Sequence, residues 1–314
     1  MDGLLKKKNV VIVYTGEKET EGRKTGRTAL RVGVTKKLPM AQLAKKDIVP
    51  KKVKGIETDV FETDEIRALA VDRKSRVRPA KGGVSIGHPS VTAGTLGMVV
   101  KKKGVLHILS NNHVLADSNK AEVGDMTWQP GRLDGGTAFD TIGHLAAFVP
   151  IQFSGESTCP VAGMVVRVCN FFAGVLKRNT RLCPVSLAVN KVDCAISRPL
   201  LDEDISQEIL DIGKPAGFAE AMVGEKVKKS GRTTALTEGT VMATDGMANV
   251  NYGDAIAVFE DQIVTTPMCQ GGDSGSAVLN GNNEAVGLLF AGSQSLTIVN
   301  KIKNVIDALE LDNE

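Results

Sequence analysis

From residue 82 onward the chain is punctuated by glycine, and that punctuation limits what it can fold into. Residues 82–100 read G-G-V-S-I-G-H-P-S-V-T-A-G-T-L-G-M-V-V, and apolar runs return at 105–109, 140–150 and 191–197. Each run is strand length and ends near a turn residue. That pattern predicts consecutive antiparallel strands, as in a barrel. A second set begins near 213, with runs at 225–229, 255–259, 262–266, 277–279 and 285–291. Thirty-three glycines and 4% aromatics favour short strands and tight turns over helix bundles. At 314 residues, two or three domains are expected.

The flanks read differently. Residues 1–66 form a basic preface, with strands expected at 10–14 and 29–34 around a charged turn (16–26), a short amphipathic helix at 40–46, and a third strand at 53–61. Residues 1–54 carry 15 Lys/Arg against 5 Asp/Glu, a local excess of +10 in a chain whose net charge is +3. The run D-R-K-S-R-V-R-P-A-K (72–81) reads as a linker. The domains expected are therefore an α+β module with linker (1–81), a first barrel (82–210) and a second barrel with a C-terminal helix (211–314). Residues 151–189 read as an insertion, whose stretch 161–176 is apolar enough for a buried helix or one lying on the barrel. Ile302, Val305, Ile306 and Leu309 fall at helical spacing in the closing segment, 300–311. No secretory leader is legible, and no apolar run reaches the roughly 18–20 residues of a membrane span. Five cysteines (159, 169, 183, 194, 269) without C-x-x-C spacing fit reduced thiols in a cytoplasmic protein; no metal site or cofactor is expected.

Chemistry concentrates at residues 269–277, C-Q-G-G-D-S-G-S-A. Glycines at 271, 272 and 275 allow positive φ and aim several N–H groups at one spot. An acyl-transfer nucleophile needs that setting: an exposed hydroxyl on a tight turn, with amides to hold the oxyanion. His113 stands at the end of an apolar run. Asp193 interrupts another, V-D-C-A-I, where a carboxylate is costly without a hydrogen-bond partner. Ser274 as nucleophile, His113 as base and Asp193 as the group orienting the imidazole together meet one chemical need. Asp117, Asp125 and Asp140 are weaker candidates for the acid, since none interrupts an apolar run. His107 is read as exposed, His88 and His144 as turn and strand-end residues, and Cys194 as a small core residue.

Residues 82–314 resemble the chymotrypsin-like (trypsin-like) serine peptidases, and look closest to the reduced, intracellular bacterial branch that plant narrow-leaf-type proteases also resemble. The matching motifs are S-N-N-H-V around His113, V-D-C-A-I around Asp193, S-G-R-T-T-A-L-T-E-G-T-V at 230–241 and G-D-S-G at 272–275. The resemblance implies an all-β double antiparallel barrel with the triad in the cleft, and an oxyanion hole from the N–H groups of Gly272 and Ser274. It also implies a strand at 289–292 that pairs with extended substrate. Ser276 replaces a usual glycine, and the disulfides of secreted relatives have no equivalent.

The leading expectation is a serine endopeptidase acting on protein or peptide substrates. The alternatives are a catalytically silent barrel that binds an acidic partner, and an esterase using the same triad. The specificity pocket implied by the resemblance involves Met268, Cys269, Leu289, Phe290, Ala291 and Gly292, with Met268 or Cys269 at its base. Its walls hold no Asp or Glu, so cleavage after small to medium apolar residues is expected. The preface lacks the interleaved aromatics of a single-strand nucleic-acid binder. It is expected to gate or target the enzyme, either as a docked regulator or as a segment cleaved near Gly82, and a regulatory partner at the preface and homo-oligomerisation are left open.

Overall fold

The computed structural model describes residues 2–20, 22–63, 66, 71–154, 160–175, 189–253 and 255–313. The chain divides into two compact units, Met1–Val71 and Asp72–Glu314.

In the first unit a short helix, α1 (Asp2–Leu5), precedes a four-stranded sheet of order β1-β2-β4-β3. Strands β1 (Val10–Thr20) and β2 (Arg23–Val34) are antiparallel and longer than their apolar runs, pairing out to Thr20 and Arg23. The expected turn at 16–26 is thus mostly strand, because its charged side chains find partners across the sheet: Lys18 pairs with Glu57 (2.9 Å), Glu19 with Arg31 (3.1 Å), and Glu17 accepts from the Gly26 N–H (2.8 Å). β3 (Lys52–Val53) and β4 (Ile56–Glu62) form a hairpin, and β4 runs parallel to β2. Leu4, Leu30 and Val32 make the small core. In place of the helix expected at 40–46 stand two single turns, Met40–Gln42 and Lys45–Asp47, neither with a buried residue to anchor a longer helix.

The second unit begins with the segment expected to be a linker. The Arg73 guanidinium donates to the Gly83 carbonyl (3.0 Å) and Ser230 Oγ (2.8 Å) and pairs with Asp211; Arg78 donates to Gln129 Oε1. Ala80 is fully buried within β5 (Ala80–Gly82). Residues 72–81 belong to the folded unit because their cations find carbonyl and carboxylate partners instead of water.

A first ring follows. β6 (Ser85–Ile86) pairs with β7 (Gly94–Thr95), which leads into β8 (Met98–Lys102). Next come β9 (Val105–Ser110), the one-turn helix α2 (Asn112–Leu115), β10 (Met126–Trp128) and β11 (Thr141–Phe148). The insertion carries helix α3 (Pro160–Val175) and returns through β12 (Val189–Asn190) to β13 (Ala195–Pro199) and β14 (Ile205–Ile209), which lies parallel to β5. The sheet order is β10-β11-β13-β9-β8, and a Gly87–Trp128 bridge joins the β6 end back to β10, closing the ring. Val84, Ile86, Leu96, Ile108, Ile142 and Leu145 fill it.

The second ring comprises β16 (Lys226–Gly231), β17 (Ala235–Asn251), β18 (Ile256–Thr265), β19 (Ala277–Leu279), β20 (Glu284–Gly292) and β21 (Thr297–Lys301), with β15 (Gly217–Phe218) alongside β20. β16 pairs with β17 and β19, β17 with β18, β19 with β20, and β21 with both β18 and β20. All six strands therefore have two neighbours and none is an edge strand, although among the described residues the β19 side of β20 is unpaired beyond Leu289. Between the rings lies a third core, where Ile302, Val305, Ile306 and Leu309 of helix α4 (Ile302–Leu309) bury against Met98, Leu109 and Leu288. Full burial of each such side chain contributes roughly 1.5–3 kcal/mol.

The exposed reading of His107 fails here, and of the two readings of 161–176 the buried one fails, in each case through a misjudged burial. His107 is 8% exposed. β9 is covered on both faces, with Ile108 in the ring and Leu109 in the shared core, so burial runs unbroken from His107 to Ser110. Burial pushes the imidazole below its usual range. Helix α3 instead exposes Met164 and Phe171, at 69% and 67%. Its upper limit at 176 and the insertion's stretches 155–159 and 177–188 lie outside the described residues.

Candidate active site

Three elements meet at the junction of the rings. The turn α2 places His113, the loop before β13 places Asp193, and the turn between β18 and β19 places Ser274. His113 Nδ1 and Asp193 Oδ2 are 2.5 Å apart, and the His113 backbone N–H donates to Oδ1 at 3.3 Å. Asp193 is fully buried, flanked by the core residues Val192 and Cys194. Its carbonyl accepts from Asn111 Nδ2 (2.7 Å) and Asn300 Nδ2 (3.2 Å), and its N–H donates to Asn300 Oδ1 (3.1 Å). Its carboxylate also accepts from the Tyr252 hydroxyl (2.9 Å). Ser274 Oγ donates to the Phe290 carbonyl at 3.3 Å and opens on one cavity with His113. The rival acids are engaged elsewhere: Asp125 with His88 (3.2 Å), Asp140 in a cap with Thr137 (3.0 Å), and Asp117 in a tight turn.

The turn carrying Ser274 is clamped through its carbonyls. Gly271 O accepts from Thr233 Oγ1, Gly272 O from Thr95 Oγ1 and Ser274 O from the Thr95 N–H, each at 2.8 Å. Asp273 O accepts from Ser276 Oγ at 2.6 Å, so the serine in the usual glycine position holds the turn. In a trans peptide the N–H points opposite its own carbonyl. The Gly272 and Ser274 N–H groups are therefore turned away from Thr233 and Ser276, and among the described residues neither donates to a protein acceptor. Gly272 and Gly275 both sit at φ +94°, and a Cβ on Gly275 would lie 2.1 Å from Ser110 Oγ.

Beneath this turn Asp273 is fully buried and ion-paired with the fully buried Lys229 (3.3 Å). Its carboxylate also accepts from Thr233 N (2.9 Å), Thr234 N (3.1 Å), Thr234 Oγ1 (2.6 Å) and Gln270 N (3.0 Å). Burial alone would raise its pKa, but the Thr234 hydrogen bond and the Lys229 charge outweigh it and hold the pKa below the usual range. Burial pushes the Lys229 ammonium down, against the pull of Asp273. The neighbouring Arg232 grips Asp134 through Nε (2.6 Å) and Nη2 and donates to Thr233 Oγ1 (3.1 Å). Sequence reasoning passed over Lys229, Thr95, Arg232 and Tyr252. The one available signal was a lysine that enters S-G-R-T-T on the buried side of β16.

Beside Ser274 a cavity of about 750 Å³ is lined by Met268, Cys269, Leu289, Ala291 and Gly292. A Cβ on Gly292 would lie 2.5 Å from Cys269 Sγ, whereas Met268 Sδ lies beside Gly239, so the thiol reaches across toward Gly292. Phe290, expected in this pocket, lies on the opposite face of β20, as strand alternation requires, and stacks on Phe259 at 4.7 Å. Among the described residues no group of three His, Cys, Asp or Glu side chains is placed to hold a metal, and no helix is long and apolar enough to cross a membrane.

Several known proteins share parts of this chain. Serine protease 1 of Streptomyces fradiae is 41% identical over 85 residues, covering 27% of this chain and 22% of that protein. Glutamyl endopeptidase 2 of Streptomyces griseus is 45% identical over 64 residues, covering 20% of this chain and 32% of its own length. The match thus spans a third or less of either relative. Among solved structures, Thermobifida fusca protease A aligns over 74% of this chain and 96% of its own (TM-score 0.48, 17% identity). A glutamic-acid-specific serine protease aligns over 75% and 100% (TM-score 0.49, 21% identity). The model of the trypsin-like peptidase domain matches residues 94–288, more than half of the chain. With its two closed rings and the cleft between them, the chain belongs to the trypsin-like peptidase domain family.

Proposed function

We propose that the chain is a serine endopeptidase in which Ser274 is the nucleophile, His113 the general base and acid, and Asp193 the group that holds the imidazole. The observation that carries this is the His113–Asp193 pair opening on one cavity with Ser274. In the reaction Ser274 Oγ turns from the Phe290 carbonyl toward His113 and attacks the scissile carbonyl. His113 takes the proton and returns it to the leaving amine. Asp193 stabilises the imidazolium, and the N–H groups of Gly272 and Ser274 receive the oxyanion. Beyond Leu289 the inner edge of β20 carries no strand partner among the described residues, so residues 290–292 can pair with extended substrate. A fluorophosphonate probe should label Ser274 in the wild type and not in Ser274→Ala, and a peptide library should be cleaved. Absence of labelling in the wild type refutes the reading; labelling with ester but no peptide turnover would make it an esterase.

The pocket supports cleavage after small to medium apolar residues. Its lining holds no carboxylate or cation, so a substrate Arg, Lys or Glu would lose its water without gaining an opposite charge. The three cysteines among the described residues are free, which supports a reduced, cytoplasmic setting and the intracellular branch of the family. Regulation by the preface fits its forming a compact unit of its own beside Asp72–Glu314 in the sequence. Cleavage near Gly82 does not fit as the trigger, since residues 72–81 are built into the peptidase unit and Lys229 already neutralises Asp273.

A further inference from the structure

Tyr252 lies at the tip of the β17–β18 hairpin, in a turn closed by its own N–H donating to the Ala255 carbonyl (2.9 Å). Its hydroxyl reaches Asp193 Oδ2 at 2.9 Å. The other two donors to that carboxylate are His113 Nδ1 at 2.5 Å and the His113 N–H at 3.3 Å. Both belong to the residue that Asp193 has to orient. Tyr252 is the donor from outside His113, and at 2.9 Å it holds Oδ2 more closely than the 3.3 Å backbone contact holds Oδ1.

The phenol is itself held. Its ring packs edge-on against Phe153 (centroids 5.5 Å apart) and His113 (5.8 Å), and lies near Phe259 (6.3 Å). The hairpin beneath it is gripped by both ends of the insertion. The Ser154 N–H donates to the Ile256 carbonyl (2.7 Å), Asn190 Nδ2 donates to Val258 O (3.0 Å) and Gln152 O (2.9 Å), and β12 runs parallel to β18. Burial, and then the Asp193 charge, push the phenol pKa far up, so it stays a donor.

We propose that Tyr252 is a positioning residue of the peptidase: its hydroxyl sets the rotation of the Asp193 carboxylate, and the two stems of the insertion hold the hairpin that delivers it. This rests on the peptidase reading above. A plain packing role for the ring is the competing account, and Tyr252→Phe separates the two because it keeps the ring and removes the hydroxyl.

The expected result for Tyr252→Phe is a fall in kcat of about 10-fold with KM unchanged, at the low end for a hydrogen bond to a charged group. In an Asp193→Asn background the same change should cost almost nothing, because Tyr252 acts through that carboxylate. The low-field proton resonance of the His113–Asp193 hydrogen bond, read by NMR without substrate, should shift. Wild-type kcat in Tyr252→Phe, a rise in KM alone, an unmoved resonance, or full additivity with Asp193→Asn would each overturn the proposal. A wild type that fails to label with fluorophosphonate counts against the peptidase reading, and the resonance still decides the role of Tyr252.

Discussion

Lys229→Met takes the ammonium out of a fully buried ion pair and leaves an aliphatic chain of similar reach. Removing one partner of such a pair costs about 3–5 kcal/mol, since the other charge stays buried. Two features pull the value down. Asp273 keeps hydrogen bonds from Thr233, Thr234 and Gln270. Burial of the ammonium is itself unfavourable, as its lowered pKa indicates. A loss of about 3 kcal/mol is therefore expected. For a unit of this size that is a drop of roughly 6–12 °C in Tm. In the proposed mechanism Asp273 sits between the two N–H groups that receive the oxyanion, so kcat should fall as well, by about 10²–10³-fold if one donor is misplaced. Calorimetry and peptide turnover on the same preparation read both effects. Adding Asp273→Asn removes the orphaned charge and should recover part of the stability. A Lys229→Met variant as stable as the wild type, or a double variant no better than the single, would falsify the account. The sign with pH follows from Asp273. Its folded pKa is depressed, so its contribution is full above the unfolded value of about 3.9 and is lost as pH falls through the folded pKa. Acid unfolding should accordingly be shallower in Asp273→Asn below about pH 4.

Asp193→Asn should cut turnover by about 10⁴-fold while the protein stays folded, through the wrong imidazole tautomer; near-normal turnover would mean another carboxylate serves His113. Deleting residues 1–71 should leave the Tm of the peptidase unit unchanged, whereas deleting 1–81 should lower it by removing Arg73, Arg78 and the buried Ala80; equal Tm values would contradict the strapped segment. Gly292→Val places a Cβ where Cys269 Sγ stands, so cleavage after Leu or Met should weaken relative to Ala in a library profile, and an unchanged preference would show that this wall does not bound the pocket.

The three residues that the structure brings together at the cleft were legible because their chemistry is local: a serine among glycines, a carboxylate within an apolar run, a histidine after one. What was missed depends on distant partners. Tyr252 and Asp193 are 59 residues apart, and nothing around N-Y-G-D announces the contact. Lys229 sits in K-V-K-K, where a solvated face is the ordinary reading, and only the closure of β16 onto β17 and β19 puts one of these lysines inside. Charge misled again at 72–81, where Arg73 and Arg78 satisfy backbone and side-chain oxygens of the folded body. Phe290 followed from strand alternation that a list of neighbouring residues ignores. The strand runs themselves were recovered because β-branched and glycine residues mark strand and turn locally.

The closure of the second ring by β21 also bears on synthesis. β18 and β20 both wait for residues 297–301, which the ribosome makes after Ser274. His113 emerges 161 residues before Ser274, a lag of roughly 10–30 s at translation speed. Through that interval the nascent chain holds a base without a nucleophile. When Ser274 does emerge, its turn still lacks the strand that closes the ring behind it. The ring around Ser274 is therefore completed only after translation has passed residue 301.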